Sequence, residues 1–71
     1  MVDRWSAVVL FLVERRVERG VTIDDLAWKA GYHPNSLSRW ERGYMPSLDG
    51  FLAWCEALGV KSSAVLKGAG L

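Results

Sequence analysis

Two side chains in the stretch AGYHPNSLSRWERG, residues 30–43, have a chemistry and a spacing suited to joint recognition of another molecule. Asn35 and Arg39 are four positions apart, so in a helix they lie on one face. An amide can form two hydrogen bonds with the edge of adenine, and a guanidinium can do the same with guanine. The alternative is a solvated polar face, and the spacing alone does not choose between these interpretations.

Helical periodicity predicts the elements that position this pair. Apolar residues recur at helical spacing, and no stretch alternates apolar and polar residues for long enough to indicate a strand. In the helix that carries the pair, Leu37 and Trp40 are expected to point inward. Caps, glycines and prolines predict five helices, delimited by Asp3 and Gly20, Thr22 and Gly31, Pro34 and Gly43, Ser47 and Gly59, and Ser62 and Lys67.

The predicted core draws on all of these helices. Trp54 falls on core spacing, as Trp40 does, and Trp5 is expected in the core or at the edge of the first helix. Leu10 and Phe11 fall outside the inward stripe of the first helix, which predicts an exposed apolar patch. The core face of the fourth helix is expected to consist of Leu48, Phe51, Leu52, Trp54, Cys55 and Leu58.

Composition limits the classes of protein to consider. The 71 residues, half of them apolar and four of them Trp, predict a single domain, 1–71, with a real core. A net charge of +1 is small for a nucleic-acid binder, so any contact with phosphates must depend on local charge. The apolar run at 7–13 is too short to span a bilayer, and no signal peptide is evident. The protein is therefore expected in a reducing cytoplasm and not in a membrane.

Enzymatic and metal-dependent functions have no support in the sequence. One Cys and one His exclude an intramolecular disulfide and the usual zinc sites. His33 and Cys55 lie in different contexts, and neither paired carboxylates in an evident cleft nor a glycine-rich phosphate loop is found. We expect no catalysis, no cofactor, no metal and no small-molecule ligand.

The pattern LAxxAGYxxxxLSxWERG, within residues 16–60, resembles the helix-turn-helix domains of the Cro and phage-repressor type, the XRE-like family. Ala27 and Gly31 are the small residues that a tight crossing of two helices requires. The resemblance implies an all-α, five-helix, lambda-repressor-like DNA-binding domain with its helix-turn-helix at about 22–43. It also implies that the second helix of the motif enters the major groove of double-stranded DNA.

The resemblance assigns roles to particular residues. Asn35, Ser38 and Arg39 are the implied base contacts, although the serines could also face solvent. A structural pair, Arg16 with Glu41, is implied between the first and third helices. Candidates for contact with the DNA backbone are His33, Ser36, Arg42, Tyr44 and Lys29. Each has an alternative role: His33 could cap a helix, Arg42 could be a cation favoured at a helix C-terminus, and Tyr44 could pack on its loop. Ser36 and Lys29 could simply be exposed to solvent.

The sequence departs from the family in ways that leave two functions open. Ile23 stands where many relatives have a phosphate-binding Gln, and Asp24 follows it, so contact with DNA is weakened there. Phe11 and Trp28 are candidates for a protein interface, Trp28 as a contact or as a packing partner of Trp5 or the N-terminus. For a homodimer, the resemblance makes the fourth helix, Val60 and Leu66 alternatives to the first helix, and the sequence does not decide between them. The leading hypothesis is a stand-alone, homodimeric transcriptional repressor of phage or prophage type in a bacterial cell. The alternative is a protein-binding adaptor with weak affinity for DNA.

Overall fold

The computed structural model describes residues 3–71, and every regular element in that range is a helix. The predicted all-α, five-helix class is therefore confirmed. None of these helices has the length and apolarity needed to cross a membrane. The helices are α1 (Arg4–Glu18), α2 (Ile23–Ala30), α3 (Pro34–Glu41), α4 (Leu48–Leu58) and α5 (Ser62–Gly68).

The predicted start signals act as helix caps. The Asp3 carboxylate accepts a hydrogen bond from the backbone N–H of Ser6 at 2.7 Å, which lowers the pKa of Asp3. The hydroxyl of Thr22 accepts from the N–H of Asp25 at 3.1 Å, and Ser47 caps α4 in the same way. Each cap satisfies an N–H that would otherwise lack an intrahelical partner, so these helices begin where the sequence predicts.

One core joins all five helices. Leu12 of α1, Leu26 of α2 and Leu37 of α3 are almost completely buried, and Trp54 of α4 and Val65 of α5 lie among them. α2 packs against both α3 and α4, while α1 contacts α3, α4 and α5. Since α3 rests on α1 and α2, its remaining face is free to turn away from the body.

Two of the residues predicted for the core of α4 are exposed. Leu52 is 42% exposed, because successive helix positions are about 100° apart and Leu52 follows Phe51 onto the flank of the helix. Leu48 is 72% exposed; it lies in the first turn of α4, close to Met45 and four positions before Leu52 on the same side of the helix. The prediction for these two positions was wrong, and both leucines contribute to an apolar surface.

Gly50 of α4 makes room for the ring of Trp40, which extends from α3. A Cβ atom at this position would lie 2.9 Å from Cη2 of Trp40 and 3.3 Å from Cβ of Pro46. We expect Gly50→Ala to lower the free energy of unfolding, because overpacking costs about 1–3 kcal/mol and outweighs a gain in helix propensity of up to about 1 kcal/mol. Denaturation followed by circular dichroism measures the difference.

Gly68 is the matched control for this substitution. It lies at the end of α5, and none of the described residues comes within 4 Å of a Cβ atom built there. Gly68→Ala is expected to leave stability unchanged or to raise it slightly. If Gly50→Ala were as stable as Gly68→Ala, the close contact with Trp40 would not constrain the core.

Candidate nucleic-acid interface

A tight turn connects α2 and α3. Gly31 has a left-handed backbone, with φ at 82°, which glycine adopts without the steric cost that other residues meet. The N–H of Tyr32 donates to the carbonyl of Ala27 at 2.9 Å and closes the end of α2. Only 31–33 separate the two helices, so α3 starts directly beside the end of α2.

His33 caps the start of α3. Its Nδ1 accepts a hydrogen bond from the N–H of Asn35 at 3.1 Å, and Pro34 occupies the first turn, where a missing N–H costs nothing. The ring of Trp28 packs edge-on against the imidazole, with the ring centroids 5.7 Å apart. Trp28 therefore does not pack on Trp5, and at 62% exposed it presents most of its surface to solvent.

The two faces of α3 differ sharply in burial. Leu37 and Trp40 are buried against the body, while Asn35 and Arg39 are exposed on the opposite face. Ser36 and Ser38 are half-buried and flank the exposed face on either side. The structure thus places the amide and the guanidinium together on one solvent-facing strip, with the two hydroxyls at its edges.

Two further candidate residues lie just after α3. Arg42 follows the last residue of α3 and is exposed, and it lines a groove with Leu10 and Val13 of α1. Tyr44 is 60% exposed, and its ring centroid lies 5.7 Å from Cζ of Arg39. Lys29, by contrast, is exposed beside Ala53 and Glu56 of α4, so the structure does not bring it together with the outer face of α3.

An ion pair holds α3 against α1. Arg16 donates to Glu41 through both Nε, at 2.6 Å, and Nη2, at 3.0 Å, and its Nη1 donates to the carbonyl of Val21 at 2.9 Å. The two side chains are only 16% and 9% exposed. This bidentate arrangement fixes the orientation of the end of α3 relative to α1.

A second tie between α1 and the end of α3 was not predicted from the sequence. Nε1 of Trp5 donates to the carbonyl of Gly43 at 3.2 Å, and the Trp5 ring packs edge-on against Phe51. The two residues of the hydrogen bond are 38 positions apart, so no local signal could have indicated it. Trp5 is half-buried, in agreement with its predicted position at the edge of helix 1.

Phe11 does not form the exposed patch that was predicted for it. The ring is half-buried against the core, and the guanidinium of Arg15 lies over it, 5.0 Å from the centroid. Leu10 alone is exposed at this place. An apolar groove of about 310 Å³ lies elsewhere and is lined by Trp5, Met45, Pro46, Ser47, Leu48, Phe51 and Leu66.

Comparison with known proteins identifies the fold and the family. The helix-turn-helix family pattern matches residues 12–65, which includes the whole of α2, the turn and α3. The chain belongs to the helix-turn-helix family of the Cro and phage-repressor, XRE-like type. Membership in this family places it among DNA-binding regulators and not among enzymes.

A solved structure supports the same assignment to the helix-turn-helix family. The clp gene regulator ClgR from Corynebacterium glutamicum is 32% identical and superposes with a TM-score of 0.82. The match covers 94% of this chain and 72% of the ClgR chain. No curated protein sequence matches the chain.

The start of α2 departs from the family pattern in a way that matters for DNA contact. Ile23, at the position where the family resemblance implied a phosphate-binding Gln, is half-buried and packs against the core. Asp24 and Asp25 are exposed in the first turn of α2. Carboxylates stabilise a helix when they lie near its positive end, and they repel phosphates.

The described residues hold no cluster of His, Cys, Asp and Glu that could bind a metal ion. Cys55 is buried, and burial raises the pKa of its thiol to about 11, so the thiol remains protonated near neutral pH. A protonated, buried thiol is a poor nucleophile. The chemistry available on α3 is hydrogen bonding and charge, which suits binding.

Proposed function

We propose that the protein is a sequence-specific repressor that binds a double-stranded DNA operator with α3 in the major groove. The observation that carries this proposal is the exposure of Asn35 and Arg39 on the face of α3 opposite Leu37 and Trp40. Asn35 contacts adenine and Arg39 contacts guanine, with Ser38 at the edge of the same strip. A regulator of this kind acts in the bacterial cytoplasm, on a chromosome or on phage DNA.

Contacts with the DNA backbone set the register of α3. We assign them to His33 and Ser36 at the start of the helix and to Arg42 at its end, since these flank the base-reading strip. Lys29 is left out because it lies beside α4. With Asp24 and Asp25 exposed nearby, few positive charges face the phosphates, so affinity depends strongly on the base contacts.

We also propose that two copies bind together. Two half-sites about 34 Å apart place both recognition helices on one side of the duplex. The surface for a second copy is the apolar groove that includes Met45, Leu48 and Leu66, because Met45 continues directly from the end of the recognition face. Phe11, half-buried and covered by Arg15, is a poorer candidate for this contact.

Selection of binding sites from random duplexes tests the proposal, paired with a mass measurement of the free protein. The expected result is a two-fold symmetric pair of half-sites and a mass near twice that of the chain. Recovery of a single unrepeated half-site by a monomer would contradict the dimer alone. Recovery of no preferred sequence would contradict the regulator.

Arg39→Ala should weaken binding to the selected operator. We expect a loss of about 1–3 kcal/mol, or roughly 5- to 150-fold in Kd, because the guanidinium forms a bidentate contact with one guanine. The preference at that one base pair should relax, while the remaining positions keep theirs. Fluorescence anisotropy on the operator and on its single-base variants measures both effects.

Lys61→Ala is the matched control for the loss of one charge. Lys61 is exposed at the start of α5, which does not pack against α3. It should bind the operator almost as the wild type does. If Arg39→Ala lost no more affinity than Lys61→Ala, or kept its preference at every base pair, Arg39 would not read a base.

One observation favours the alternative function, a protein-binding adaptor. Trp28 is largely exposed beside the acidic start of α2, and an exposed Trp is typical of protein interfaces. Salt dependence distinguishes the two functions. A repressor loses affinity for DNA steeply as salt rises, since bound phosphates release counterions, whereas an adaptor shows little DNA binding at moderate salt.

A further inference from the structure

We propose that Tyr44 is a positioning residue that determines base preference by holding the guanidinium of Arg39. Its phenol hydroxyl, which the family resemblance made a candidate for contact with the DNA backbone, takes no part. This inference rests on the proposed function of α3 as a DNA reader. It adds a specificity-determining residue that lies outside the recognition helix itself.

The backbone places Tyr44 next to Arg39. Gly43, directly after Arg42, has φ at 105°, and this left-handed residue reverses the chain at the end of α3. The N–H of Tyr44 then donates to the carbonyl of Arg39 at 3.1 Å, and that of Gly43 donates to Trp40 at 3.0 Å. The hydrogen bond joins the same two residues whose side chains meet, so the turn and the side-chain contact support each other.

The two side chains form a cation–π contact. Cζ of Arg39 lies 5.7 Å from the centroid of the Tyr44 ring, within the distance at which the ring attracts a guanidinium. Both residues line an open cavity of about 230 Å³ between Ser36 and Met45. Arg39 therefore lies against the aromatic ring while its donors stay accessible.

The described residues offer Arg39 no other strong restraint. Among residues 3–71, the ion pairs are Arg15 with Glu18 and Arg16 with Glu41, and neither includes Arg39. An exposed arginine loses considerable rotamer freedom when its planar fork is fixed on guanine. The ring lowers that loss, because it holds the fork before DNA arrives.

Two replacements of Tyr44 separate the ring from the hydroxyl. Tyr44→Phe keeps the ring and should bind the selected operator as the wild type does, with the same preference at the base pair read by Arg39. Tyr44→Leu keeps an apolar side chain but has no ring, and should bind about 2- to 5-fold more weakly, which is the range of an exposed cation–π contact. Its preference for guanine at that base pair should fall by the same factor.

A double-mutant cycle tests whether Tyr44 acts through Arg39. In an Arg39→Ala background, Tyr44→Leu should cause no further loss, because the group that the ring positions is gone. A second readout uses the free protein. The side-chain protons of Arg39 should be shielded by the ring in NMR spectra of the wild type and Tyr44→Phe, and this shielding should vanish in Tyr44→Leu.

Several results would overturn the inference. An equal loss in Tyr44→Phe and Tyr44→Leu would assign the effect to the hydroxyl and a phosphate contact. A loss in Tyr44→Leu that persists without Arg39 would show that Tyr44 contacts DNA independently. If Tyr44→Leu bound the operator as tightly as the wild type does, or if the Arg39 side-chain protons of the wild type were not shielded, Tyr44 would have no positioning role. Failure of the proposed function is distinguishable, because the wild type itself would then select no operator.

Discussion

Replacement of Trp40 by Ala is expected to lower the free energy of unfolding by about 3–5 kcal/mol, the usual cost of removing a large buried aromatic side chain. Trp40 is buried between Tyr32 and Trp54, with ring centroids 4.9 and 5.8 Å away, and its ring edge contacts Gly50. A domain of this size has a total stability of only about 4–10 kcal/mol. The variant should therefore lose about a third or more of its stability and melt far below the wild type, as thermal denaturation followed by circular dichroism will show.

The four tryptophans supply a control for that experiment. Trp28→Ala makes the same chemical change at a position that is 62% exposed, so it should alter stability by less than about 1 kcal/mol. The two variants separate burial from side-chain type. Equal melting temperatures for Trp40→Ala and Trp28→Ala would mean that Trp40 does not hold α3 to the body.

Loss of one partner of the Arg16–Glu41 pair should also be severe. Arg16→Ala leaves the Glu41 carboxylate, only 9% exposed, without either of its two donors. Breaking a fully buried pair costs about 3–5 kcal/mol, and the slight exposure of this pair places the expected loss near the lower end of that range. Urea denaturation of the variant and the wild type measures the difference.

The ion pair between Arg15 and Glu18 is the matched control. Its atoms are 4.0 Å apart on the exposed surface of α1, so Glu18→Ala should cost less than about 1 kcal/mol. A joint Arg16→Met and Glu41→Leu replacement should recover much of the stability lost in Arg16→Ala, since no unpaired charge remains. A double variant as unstable as the single one would assign the loss to packing.

Local interactions made much of the fold predictable from sequence. Asp3, Thr22 and Ser47 cap helices within three residues of themselves, so their effect depends on neighbours along the chain. The division of α3 into buried and exposed faces follows from the spacing of Leu37 and Trp40 in the same way. The Arg16–Glu41 pair spans 25 positions, and it was predicted only because the family resemblance implied it.

Distant contacts explain what the sequence could not indicate. Leu48 lines an open groove with Trp5 of α1 and Leu66 of α5, and helical spacing does not encode how far these helices cover it. Trp28 packs on His33 rather than Trp5 because the tight turn at Gly31 brings the start of α3 to it. For Tyr44 a signal does exist, since a glycine that ends a helix places the next residue beside the helix's last turn. Its contact with the Arg39 side chain is known only from the structure.

The separation of the two faces of α3 has a practical consequence. Asn35 and Arg39 take no part in the core, whereas Leu37 and Trp40 hold the helix in place. The outer strip can therefore be redesigned or randomised as a library while the scaffold keeps its shape. A regulator for a new DNA sequence could be made from this domain by replacing only the residues of the outer strip.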